Sequence, residues 1–115
     1  MLFRSNPIAE INGTLEASEI TGVTHPAWQY DGRRGHFAFK EMEGAKDYDI
    51  YVSLSPTGEG AILLKKGALK SGELITGFLP ETDNYAFIVW HDAKGATSKP
   101  SAPFKFLLHD EFAEK

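Results

Sequence analysis

From Gly35 onward the sequence breaks into short runs of aromatic and β-branched residues, each closed by turn formers, and this rhythm constrains the fold more than any other feature. His36-Phe37-Ala38-Phe39-Lys40 is followed by Glu43-Gly44-Ala45-Lys46-Asp47. Tyr48-Asp49-Ile50-Tyr51-Val52-Ser53-Leu54 comes next and stops at Ser55-Pro56-Thr57-Gly58. Residues 61–64 and 73–78 form two more runs, divided by Lys65-Lys66-Gly67 and Ser71-Gly72. Residues 85–90 follow, then the turn residues 92–95 and a last run at 104–108. No segment carries a sustained helical period with caps. With a weak first strand ahead of Gly32 the count reaches seven, which predicts an all-β fold: a seven-stranded antiparallel sandwich of two sheets.

Side chains alternate across a strand, so Tyr48, Ile50 and Val52 share one face and Asp49, Tyr51 and Ser53 the other. The set without Asp49 is expected inside. In the run 85–90, Tyr85, Phe87 and Val89 oppose Ala86, Ile88 and Trp90.

A chain of 115 residues is one domain, large enough to bury a core without a disulfide or metal staple, and it has no cysteine. Its 42% hydrophobic and 24% charged residues are ordinary for a globular domain. A net charge of -4 argues against a nucleic-acid partner, which needs a clustered basic face. No apolar run approaches the length of a membrane helix, and Met1-Leu2-Phe3-Arg4-Ser5-Asn6-Pro7 does not read as a secretory signal. Residues 1–21 read as a leader or linker with an edge strand near its end, residues 22–108 as the domain, and residues 109–115 as a polar tail.

Three stretches in the right order resemble the fibronectin type III family over roughly residues 23–108. Glu43-Gly44-Ala45-Lys46-Asp47-Tyr48-Asp49-Ile50-Tyr51 is similar to the turn between the family's second and third strands. Phe78-Leu79-Pro80-Glu81-Thr82-Asp83-Asn84-Tyr85 resembles the segment leading into its sixth strand, which puts Tyr85 at the tyrosine corner, where a hydroxyl bonds backbone a few residues upstream. Lys94-Gly95-Ala96-Thr97-Ser98-Lys99-Pro100-Ser101-Ala102-Pro103 is similar to the last hairpin. The sequence departs from the pattern in carrying Phe39 where the second strand usually has Trp, and in one extra residue, Asp83 or Asn84, before Tyr85.

The resemblance makes the third and sixth strands neighbours, and on that basis Tyr51, Ile88 and Trp90 are expected to face outward together as a binding patch for glycan or protein, open or covered by residues 104–112 or by an adjoining domain. Trp28 and Tyr30 form a second, weaker aromatic pair. Arg33 and Arg34, in Asp31-Gly32-Arg33-Arg34-Gly35, read first as solvated turn residues and second as a fork for an anion. His25, His36, His91 and His109 lack the spacing of a zinc site, and no carboxylate pair or nucleophile sits in a recognisable catalytic context. The expectation is a non-enzymatic module with no cofactor and no metal. The resemblance implies an accessory or spacer role beside neighbouring domains of a larger protein, bacterial carbohydrate-active enzymes being a frequent home, and favours an extracellular, periplasmic or cell-surface setting. A binding module acting through the aromatic patch is the alternative.

Overall fold

The computed structural model describes residues 5–26 and 31–110. They form seven strands: β1 Ile20–Thr24, β2 Arg34–Phe39, β3 Ala45–Ser53, β4 Ile62–Ala68, β5 Glu73–Thr76, β6 Asn84–Asp92 and β7 Phe104–Phe106. Two antiparallel sheets result, one in the order β1-β2-β5 and the other β4-β3-β6-β7. The expected strands are all present, and β1 straddles the expected boundary between leader and domain. Lys65-Lys66-Gly67, read as a divider, lies inside β4. Between Tyr48↔Ala68 and Ile50↔Lys65, β4 carries one more residue than β3, a bulge with Gly67 at a φ of 76°.

The core lies between the sheets. β3 faces inward as its pattern predicts, with Tyr48, Ile50 and Val52 buried. Phe37 and Phe39 come from β2, Ile75 from β5 and Phe106 from β7. Phe106 meets Phe37 and Phe78 edge-on, with ring centroids 5.4 and 5.1 Å apart, the packing that ring quadrupoles prefer. Phe39 lies 4.5 Å from the ring of Tyr48, whose hydroxyl accepts a hydrogen bond from the Met42 amide and so closes the β2–β3 turn.

The corner before β6 is built differently from expectation. Asn84, not Tyr85, takes the buried position, and its Nδ2 donates to the carbonyls of Leu79 at 2.8 Å and Thr82 at 3.1 Å. Tyr85 points to the opposite face, where it packs at the edge of a second apolar cluster. Asn84 pairs with Phe106 and Tyr85 with Lys105, so it is the asparagine that shares the core face.

On the way into β7, two serines each hold one β6 residue by two bonds: the Ser98 amide donates to the Trp90 carbonyl at 2.8 Å while its Oγ accepts from the Trp90 amide at 2.9 Å, and the Ser101 amide and Oγ do the same for Ile88 at 3.0 and 2.9 Å.

Residues 5–19 are not a free leader. Ser5 accepts from the Gly60 amide and Asn6 Nδ2 donates to the Thr57 carbonyl, beside the β3–β4 turn. Ile8 is buried against Ala61 and Phe87 on the outer face of the four-stranded sheet. The chain then climbs to the other end of the sandwich, where Leu15 bridges Ser98 in parallel. There the Trp90 indole Nε1 donates to the Glu16 carbonyl at 2.7 Å before the backbone enters β1. At the far terminus, residues 108–110 dock beside Glu81 and Arg33, so the tail boundary expected at residue 109 falls inside a packed segment.

Candidate functional site

The register of β3 against β6 decides where the expected patch lies. Tyr48 pairs with Trp90, Ile50 with Ile88 and Val52 with Ala86. Directly paired residues share a face. Ile88 and Trp90 therefore face the core with Ile50, at 0% and 6% exposure, and not outward with Tyr51. Tyr51 does face outward, opposite Phe87. This corrects the expected grouping of Tyr51, Ile88 and Trp90. Both faces of β6 are apolar, so its alternation alone could not choose between them.

The outer face is covered in part, around Phe87. Ile8 and Ile11 pack in one cluster with Tyr51, Tyr85 and Phe87, so among the described residues the cover comes from the N-terminal segment and not from residues 104–110. Gly58 is required there, because a Cβ would lie 2.7 Å from the Ile8 side chain and the φ of 88° disfavours any other residue. Burial, and secondarily the Asp49 carboxylate, raise the pKa of the Tyr51 hydroxyl above its usual 10.0.

Trp28 and Tyr30 lie outside the described residues. Arg33 donates from Nη1 to the buried Asp110 Oδ2 at 2.9 Å, and Arg34 Nε lies 3.4 Å from Asp31 Oδ2. Both guanidiniums thus have carboxylate partners within the chain.

Two arrangements escaped the sequence reading. The first lies on the outer face, toward the end opposite the β3–β4 turn, where Asp47 is the cross-strand partner of His91 and Asp49 sits diagonally from it. His91 Nδ1 is 2.8 Å from Asp47 Oδ1, and His91 Nε2 is 3.8 Å from Asp49 Oδ2. Asp49 Oδ1 accepts from the Gly67 amide, a donor that the β4 bulge turns toward it. The two aspartates alternate on one strand face, a legible signal. The pairing of that face with a histidine forty residues later was not legible.

The second is an open cleft of about 280 Å³ at the end of the sandwich that holds the β3–β4 turn. Val52, Leu64 and Phe78 line it, and the exposed side chains of Leu54, Ile62 and Leu79 stand around it. Cleft and carboxylates are far apart in the sheet and make no common site.

No family model, no curated protein and no solved structure matches the chain.

Proposed function

We propose that this chain is a non-catalytic accessory module of a larger protein, built as a sandwich of the fibronectin type III kind. The observation that carries this reading is the placement of its aromatic side chains. Phe37, Phe39, Tyr48, Phe78, Trp90 and Phe106 belong to the core, and the chain's own N-terminal segment packs on Tyr51, Tyr85 and Phe87. Among the described residues that leaves no aromatic platform on the four-stranded sheet. The pairing of β3 with β6 is the neighbour relation that the family resemblance implies. Ser5 beside Gly60 and Asp110 beside Glu81 both lie at the end of the sandwich where β3 stops and β6 starts.

The test is to excise residues 5–110 from the protein that carries them, join the flanks, and measure turnover and thermal stability of the remainder. Turnover on a small soluble substrate is expected to persist. Its loss from a remainder that still folds would overturn the non-catalytic reading. The isolated chain should give no signal on a glycan array.

The apolar cleft favours a second reading, a protein-binding module that takes an apolar side chain of its partner between Leu54, Ile62 and Leu79. Ile62→Ser and Leu79→Ser lie on exposed positions and should leave the fold intact while abolishing such capture.

A further inference from the structure

We propose that Asp49 Oδ2 and His91 Nε2 bind a divalent transition-metal ion of the zinc class, with Asp47 as the positioning residue. A carboxylate only accepts hydrogen bonds, so the 2.8 Å contact with Asp47 Oδ1 places a proton on His91 Nδ1. In the neutral imidazole the lone pair is then on Nε2. Nε2 faces Asp49 Oδ2 at 3.8 Å, beyond hydrogen-bond range, and among the described residues neither atom has a hydrogen-bond partner.

Two electron-rich atoms held face to face in this way suit a shared cation. Asp49 is only 8% exposed, and its other oxygen is committed to the Gly67 amide, which holds the carboxylate with Oδ2 toward His91. Two ligands at about 2.0–2.1 Å from a tetrahedral ion sit about 3.3 Å apart, so a small inward shift of either side chain closes the site. Carboxylate to Nδ1–H, with Nε2 toward the ion, is the arrangement by which an outer carboxylate fixes a ligand histidine. A nitrogen donor selects zinc-class ions over calcium and magnesium, which take oxygen. Asp47, Asp49 and His91 lie within 4.8 Å of one another through their donor atoms. Water, or a donor from a partner, fills the remaining positions.

The experiment is a zinc titration of the whole chain at about pH 7.5, above the ordinary histidine range, followed by the imidazole nitrogen and proton resonances of its histidines. His91 Nε2 should shift while Nδ1 stays protonated. Asp49→Asn preserves the acceptor for Gly67, and it should weaken zinc at least tenfold with the amide spectrum unchanged. Asp47→Asn should weaken zinc by about 10–100-fold and release the Nδ1 proton to exchange, which a purely structural role would not do. The proposal is overturned if His91 is unmoved up to about 1 mM zinc, the weak end of specific affinity. Response at His25, His36 or His109 alone, or undiminished binding by Asp49→Asn, would overturn it equally.

Discussion

At the residue scale, single side chains do unlike work at neighbouring positions of β6. The Asn84 amide holds two backbone carbonyls of the corner, while Tyr85 one step on packs at the edge of the outer cluster. Asn84→Ala should therefore cost about 1–3 kcal/mol, and Tyr85→Phe should leave the denaturant midpoint nearly unchanged. Chemical unfolding of the two variants checks both, and the reverse order would place the corner on the tyrosine. Trp90 packs its ring in the core and anchors the crossing chain through Glu16. Trp90→Ala should destabilise by about 3–5 kcal/mol, the range for an aromatic lost from a core, and so act on folding before it acts on any ligand.

At the element scale, the two terminal segments are held by separable devices. Ile8→Ala should free residues 5–11 and uncover Tyr51, Tyr85 and Phe87, read as new binding of a hydrophobic dye and faster amide exchange at Glu10 and Gly60. Exchange at Ile50 and Ile88 should stay slow.

At the other terminus Glu81, whose φ of 61° is unusual for a residue with a side chain, accepts from the Asp110 amide at 2.6 Å and from His109 Nδ1 at 3.2 Å. These bonds, the Asp110 amide foremost, lower the Glu81 pKa below its ordinary 4.5. A depressed carboxylate favours the docked form above its undocked pKa, and that contribution is lost as pH falls through the docked value. Residues 108–110 are therefore expected to loosen below about pH 4.5. Glu81→Gln should remove that acid dependence, as read by amide exchange at Asp110.

Strand positions were legible because turn chemistry marks their ends: Ser55-Pro56-Thr57-Gly58 closes β3 and Ala93 to Gly95 follows β6. The facing of β3 was legible because Asp49 breaks the symmetry of its two faces. β6 offers Tyr85, Phe87 and Val89 on one side and Ala86, Ile88 and Trp90 on the other, and hydrophobicity is silent between two apolar sets. What decides is the cover supplied by Ile8 and Ile11, far away in sequence and polar in their surroundings. The Asp47, Asp49 and His91 group was half legible, as two carboxylates on one face. Its histidine depended on the β3–β6 register, which no local pattern fixes.

At the scale of the whole molecule, the sandwich manages its open margins with charge and with its own chain. β4 is an edge strand carrying Lys65 and Lys66, and Lys65 reaches Glu73 on β5 at 3.8 Å. Charged edges discourage a second molecule from extending the sheet. Replacing both lysines with valine should therefore promote concentration-dependent association, detectable as a rising mass in light scattering. At the other margin the Thr14 and Leu15 amides donate to the Thr97 carbonyl and the Lys99 amide to the Leu15 carbonyl, which caps the segment that leads to β7.

The placement of Ser5 and Asp110 near one end of the sandwich also governs how the molecule yields to tension. A pull applied between Ser5 and Asp110 begins at one end of the sandwich, so it loads the contacts of the N-terminal segment one after another, as in opening a zip. Contacts loaded in turn give way at lower force than strands sheared along their length. The segment from Ser5 to Ile11 should peel first, at constant low force, and the two sheets should part in a separate, later event. The fold would then behave as a compliant clasp, with a slack reserve in its first residues and a stiffer body behind it.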